Sequence, residues 1–166
     1  MKKKLLIVLL AIFLLFGCSM SNTPTSKVDE LLMKYQKLDN DIKTGINDVI
    51  NSENFTEDHA ARYRELLNKQ YKNLTYEVKN EIIDGDNSTV TVQIEVVDYK
   101  NAISDLVFDS SVYSKETYDE EKLNRLENAD SKVTYTIDFY LTKDEDGIWN
   151  LNALNNEQIK KIEGMY

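Results

Sequence analysis

The hydrophobic period of the chain changes near residue 75, and no other feature limits its fold as strongly. Before that point apolar residues recur at three- and four-residue steps; after it they mostly alternate. Helices gathered in one block and strands in the next exclude the strand–helix repeats of parallel sheets. They predict an α+β domain, with long N-terminal helices packed on a curved antiparallel sheet.

In the first block, Thr23-Pro24 reads as a helix cap followed by a first-turn proline. Val28, Leu31, Leu32, Tyr35, Leu38, Ile42, Ile46 and Val49 then form one stripe, which predicts a single long amphipathic helix with Gly45 as its weak point. Thr56 caps a second helix with Ala60, Tyr63, Leu66, Leu67, Tyr71 and Leu74 on its apolar face, and Phe55 is placed to staple onto Ala60. Tyr76, Val78, Asn80 and Ile82 lead into the turn "DGDNS", and Val90, Val92, Ile94 and Val96 lead out of it, which predicts a long hairpin. From Tyr99 to Lys132 the pattern is weak. There "DEEKLNRLENAD" predicts a short helix carried by Leu123 and Leu126, and "DLVFDSSVY" an edge strand or a loop. Alternation resumes at Val133, Tyr135, Ile137, Phe139 and Leu141, and the last three are expected to face Leu31, Tyr35 and Leu38 of the first helix. After the turn "KDEDG" and Ile148-Trp149-Asn150-Leu151, a small final helix is capped by Asn155 with Gln158, turns Ile159 and Ile162 inward, and stops at Gly164.

Ahead of the domain, Lys2-Lys3-Lys4 precedes an apolar run from Leu5 to Phe16. A charged start followed by about a dozen apolar residues makes a secretory signal, too short for a bilayer span of about 20 residues. Leu15-Phe16-Gly17-Cys18 closes the run with the only cysteine in the chain. This resembles the lipobox of bacterial lipoproteins, in which the thiol is acylated and the leader is cut ahead of it. Residues 1–17 are therefore expected to be a signal peptide, 18–25 a tether lipidated at Cys18, and 26–166 a single domain on the extracytoplasmic face of the cell membrane. Two or three acyl chains, at about 0.8 kcal/mol per buried methylene, anchor a protein stably. An ordinary signal peptide, or a membrane anchor containing a buried cysteine, is the plainer alternative. With one cysteine there is no internal disulfide, so the core alone holds the fold.

The chain has a formal charge of −9, and residues 1–17 hold three lysines and no acid, so a chain starting at Cys18 carries −12. Nucleic acid and anionic headgroups repel such a domain, which leaves the lipid anchor as its membrane contact and excludes nucleic acid as a partner.

The runs "KYQKLD" (34–39), "RYRELLNKQYKNLTYEVKNE" (62–81), "YTIDFYLT" (135–142) and "KKIEGMY" (160–166) resemble uncharacterised lipoproteins of low-GC Gram-positive bacteria, with the family's usual tryptophan at Trp149. The resemblance implies a cystatin-like or nuclear transport factor 2-like fold, a curved sheet closing over a helix, and brings no activity with it. A cystatin inhibitory loop would read Q-x-V-x-G, whereas residues 93–97 read Gln-Ile-Glu-Val-Val.

Candidate sites are few. His59 is the only histidine, lies among acids in a helix's first turn without a second ligand at metal spacing, and is expected in solvent. Asp84, Asp86, Ser88 and Glu95 match positions of a calcium loop, but Thr89 stands where the glycine belongs and the second half alternates like a strand. Asp138 and Tyr140 share a strand face opposite the apolar one, where a wet aspartate makes a poor base. Among the ten tyrosines, Tyr35, Tyr63, Tyr71, Tyr76 and Tyr135 fall on apolar stripes, and Tyr113, Tyr118, Tyr140 and Tyr166 do not.

The expected function is a membrane-anchored binding or interaction domain for an unknown protein, peptide or small molecule, with no catalytic residue, metal or cofactor. A small enzyme with an acid–base pocket in the sheet cavity is the runner-up. An acid in the main cavity separates the two: an Asp or Glu there, largely buried and within hydrogen-bond reach of a tyrosine, would overturn the binding reading and promote the enzyme. Glu77, Glu81, Glu95 and Asp138 are all expected in water, so any pocket should be lined by apolar and tyrosine side chains.

Overall fold

The computed structural model describes residues 22–166; Cys18 and the leader lie outside them. In chain order the elements are α1 (Pro24–Lys37), α2 (Asn40–Glu53), α3 (Glu57–Asn73), β1 (Thr75–Asp84), β2 (Asn87–Val97), α4 (Tyr99–Ala102), α5 (Lys115–Glu127), β3 (Lys132–Lys143), β4 (Trp149–Leu151) and α6 (Asn156–Glu163). The strands form one open antiparallel sheet in the order β1-β2-β3-β4, and the helices pack against it, so the architecture is α+β. Among the described residues no helix is long and apolar enough to cross a membrane.

The single long first helix is corrected to two. Leu38 adopts the left-handed conformation (φ 51°, ψ 55°) and ends α1, with its N–H directed at the Lys34 and Tyr35 carbonyls; Asp39 then caps α2 by accepting from the Asp41 and Ile42 N–H groups. The apolar stripe continues across this break, which is why periodicity alone does not reveal it. The break falls at Leu38-Asp39 rather than at Gly45, which lies inside α2.

The hairpin forms as expected, on the two-residue turn Gly85-Asp86 with Gly85 at φ 58°. One detail differs. A bulge between Val78 and Asn80 reverses the facing of β1, so that Glu81 pairs with Val90 and Ile82 with Thr89. Ile82 is therefore 58 % exposed, and Glu81 accepts hydrogen bonds from the Thr25 N–H (2.9 Å) and hydroxyl (2.6 Å) at the start of α1. A carboxylate there complements the helix's positive end.

Val90, Val92, Ile94 and Val96 of β2 and Ile137, Phe139 and Leu141 of β3 are buried, and they share one core with Val28, Leu32, Tyr35 and Leu38 of α1, Leu66, Leu67 and Tyr71 of α3, Leu123 and Leu126 of α5 and Ile162 of α6. Leu31 is only partly buried; Leu32 and Val28 take the inner positions. Every major element contributes to this core. Asn22 already belongs to it: its Oδ1 accepts from the Trp149 N–H (2.9 Å) and its Nδ2 donates to the Gly147 carbonyl (2.8 Å). Residues 105–113, read from the sequence as an edge strand or a loop, contain no strand.

Candidate functional site

The break after α1 turns α2 aside, and a cleft of about 210 Å³ opens between four helices. Tyr35 lines it from α1, Ile42, Gly45, Ile46 and Val49 from α2, Tyr71 from α3, and Ile159 and Glu163 from α6, with exposed Asp41 at the rim. The Tyr35 and Tyr71 rings meet edge to face, 4.9 Å apart at 81°. Gly45 leaves a gap on the α2 side, since a Cβ built there meets nothing within 4 Å.

Glu163 is the polar group that the cleft buries, at 9 % exposure. Its position is set by its neighbours in sequence and space. Gly164, at φ 72°, ends α6, and a Cβ there would run into the Val97 carbonyl oxygen and Gln70 Nε2. Gln70 is 2 % exposed; its Nε2 donates to the carbonyls of Val97 (2.9 Å) and Glu163 (3.0 Å), and its Oε1 accepts from the Val97 N–H (3.1 Å). The last turn of α6 is thereby pinned to α3 and to the end of β2.

The Glu163 carboxylate accepts one long hydrogen bond, 3.4 Å from the Tyr71 hydroxyl to Oε1. Burial pushes its pKa above the ordinary glutamate value; the Tyr71 hydroxyl and Lys160 pull it back, and Glu53 pushes it further up. Burial, with the Glu163 charge second, raises the Tyr35 phenol to about 12, and the same two causes drive Tyr71 higher still. Both tyrosines therefore stay neutral near pH 7 and offer O–H donors and ring faces.

Among the described residues the other buried ionisable side chains meet partners, although His59 Nδ1 is left without one. Asp119 is paired with Lys115 Nζ at 2.6 Å, and His59 Nε2 lies 3.1 Å from Glu120 Oε2. Among the described residues no lysine or arginine comes within ion-pair distance of Glu163.

The residues singled out in the sequence are placed elsewhere. His59 is corrected from solvated to buried, at 5 % exposure, because α5 packs over the first turn of α3. There Arg62 binds Glu127 through two bonds of 2.8 Å and Glu120 at 2.6 Å, which ties the two helices together. The calcium-like residues form a hairpin: Asp84 pairs with Asn87, while Glu95 pairs with Thr75 at the far end of the ladder. Asp138 is exposed and accepts from the Thr91 hydroxyl at 2.6 Å. Glu77 is likewise exposed beside Lys79, and Glu95 is bound by Lys132 at 2.6 Å. Cys18 lies outside the described residues.

A wider groove of about 480 Å³ lies beside α4 and α5, lined by Asp98, Asp105, Arg125 and Asp130 among others. It is larger but less informative, because its arginine is already bound by Asp105 (2.6 Å) and Glu121 (2.7 Å).

Glu163 was missed in the sequence because its run reads as a helix end. The signal was present, since Ile159, Ile162 and Glu163 follow the i, i+3, i+4 spacing of one helix face. An acid in an apolar cleft, buried and near a tyrosine, is the feature expected of an enzyme rather than of a plain binding module, and it lies between helices rather than under the sheet.

No family model, no curated protein and no solved structure matches the chain.

Proposed function

We propose that the protein is an extracytoplasmic lipoprotein, acylated at Cys18, whose domain binds a ligand in the cleft that ends at Glu163. The observation that carries the binding role is the cleft itself: aliphatic walls, two tyrosines, and one buried carboxyl with no cation at ion-pair distance among the described residues. Ligand sites have this composition, apolar lining with a few convergent polar groups. The anchor rests on the leader and on Gly17-Cys18, in keeping with the lipoproteins of low-GC Gram-positive bacteria that the chain resembles. Their cystatin-like or nuclear transport factor 2-like fold is part of the same proposal.

Metabolic labelling with an alkynyl fatty acid tests the anchor. The wild type should carry the label and Cys18→Ser should not; equal labelling of the two would remove the anchor from the proposal.

A small acid–base enzyme is the second reading, and Glu163 beside Tyr71 is the observation that favours it. A buried glutamate with a raised pKa is the usual means of placing a proton donor or acceptor near neutral pH. It ranks second because the bond to Tyr71 is long, 3.4 Å, and no histidine, serine, cysteine or lysine lines the cleft among the described residues. The substitution Glu163→Gln separates the readings. Lost affinity marks a binding carboxylate, while retained affinity with lost turnover marks a catalytic one.

A further inference from the structure

We propose that the cleft takes an alkylammonium group, a protonated primary amine on a short aliphatic stem about the size of a lysine side chain. The inference rests on the binding role of the cleft and names its ligand class.

The cleft buries a carboxyl with no cation at ion-pair distance among the described residues. A carboxylate withdrawn from water is costly unless it is paired, and the other buried acid, Asp119, has its lysine at 2.6 Å. Glu163 has only the long bond from Tyr71. Asp41 at the rim adds a second negative charge, and among the described residues no cationic side chain lines the cleft. An anionic ligand is therefore repelled, and a neutral one leaves the carboxylate uncompensated.

The walls define the rest of the ligand. The Tyr35 and Tyr71 rings both line the cleft with the carboxyl, and a cation gains from a neighbouring aromatic ring. Ile42, Ile46, Val49 and Ile159 suit methylenes. A volume of about 210 Å³ is below the roughly 300–1,000 Å³ that drug-sized ligands occupy. It suits a single short chain. An ammonium group on such a chain meets the carboxylate, the rings and the aliphatic wall together.

The experiment follows the ¹H–¹³C methyl signals of Ile42, Ile46, Val49 and Ile159 in residues 19–166, which hold the complete core. The probes are n-butylammonium, N-acetyl-lysine methylamide, n-butanol and butyrate. The expected result is that both amines shift these methyls saturably and bind about tenfold or more tightly than butanol, since hydrogen bonds to charged groups are the stronger class. Tighter binding of the lysine amide would identify a peptide side chain as the source of the amine, and tighter binding of butylammonium a free amine. Glu163→Gln should abolish the preference for the amines. Gly45→Leu, which fills the gap in the α2 wall, should weaken every probe, and well-dispersed methyl spectra without ligand show that either variant is folded. Equal binding of butanol and butylammonium, or stronger binding of butyrate, would overturn the ammonium inference and leave the cleft as a binding site. Saturable shifts from none of the probes would overturn both.

Discussion

At the scale of single residues, Glu163 makes stability depend on pH. The groups around it are Tyr35 from α1, Asp41 and Glu53 from α2, Tyr63 and Tyr71 from α3, and Lys160 on its own helix. Because burial raises its folded pKa above the ordinary value of 4.5, the folded protein binds more protons at this site than the unfolded chain between those two values. Its contribution to stability is therefore largest below pH 4.5 and falls as pH rises through the folded pKa. Glu163→Gln removes the ionisation. The variant should be more stable than the wild type at pH 7, with the gap closing as pH falls towards 4.5, as read from urea unfolding midpoints. A wild type more stable than the variant at pH 7 would mean that the carboxylate is already compensated. The sequence made Gln158 and Gly164 legible because caps and stops act locally. Glu163 depends on Gln70 and Tyr71, about ninety residues upstream, and local rules carry no information about such a partner.

At the scale of elements, the break between α1 and α2 matters most for the site. A leucine at positive φ costs on the order of 1–2 kcal/mol, and burial of the Leu38 side chain, 6 % exposed, offsets it. Asp39 supplies the rest by capping α2 with bonds of 3.1 Å to the Asp41 and Ile42 N–H groups. Asp39→Ala should cost about 1 kcal/mol of stability, the usual loss for a helix cap. Faster amide exchange should then appear in the first turn of α2, next to the cleft. An unchanged unfolding midpoint would show that packing alone fixes the break. The aspartate was visible in the sequence, but the stripe through Leu38, Ile42 and Ile46 masked it, since two helices that meet at a turn can share one apolar register. The bulge in β1 was hidden for a related reason: Ile82 and Ile83 are both apolar, so either facing of the strand reads as sensible.

At the scale of the whole molecule, the change of period was sufficient for the architecture. Alternation over Val90–Val96 and Ile137–Leu141 brings these side chains, all 2 % exposed or less, into one core with the helices. Phe139, fully buried at the centre of β3, should cost about 3–5 kcal/mol when replaced by alanine. Chemical denaturation measures this, and a loss below about 1 kcal/mol would place β3 outside the cooperative core. The cleft was not legible at this scale, because a hollow between helices follows from the angle at a single joint and not from composition or period.

The hydrogen bonds of Asn22 with Gly147 and Trp149 set a geometry for the anchored protein. Ser19, Met20 and Ser21 separate Cys18 from Asn22, and four extended steps reach at most about 14 Å. For a chain acylated at Cys18, the end of the domain bearing the 143–148 turn is moored close to the lipid surface. From that mooring α1 runs for 14 residues, about 21 Å at 1.5 Å per residue, before the chain turns at Leu38 and the cleft opens. In a chain so anchored, the first helix works as a mast that sets the mouth about one helix length along the fold from the lipid attachment.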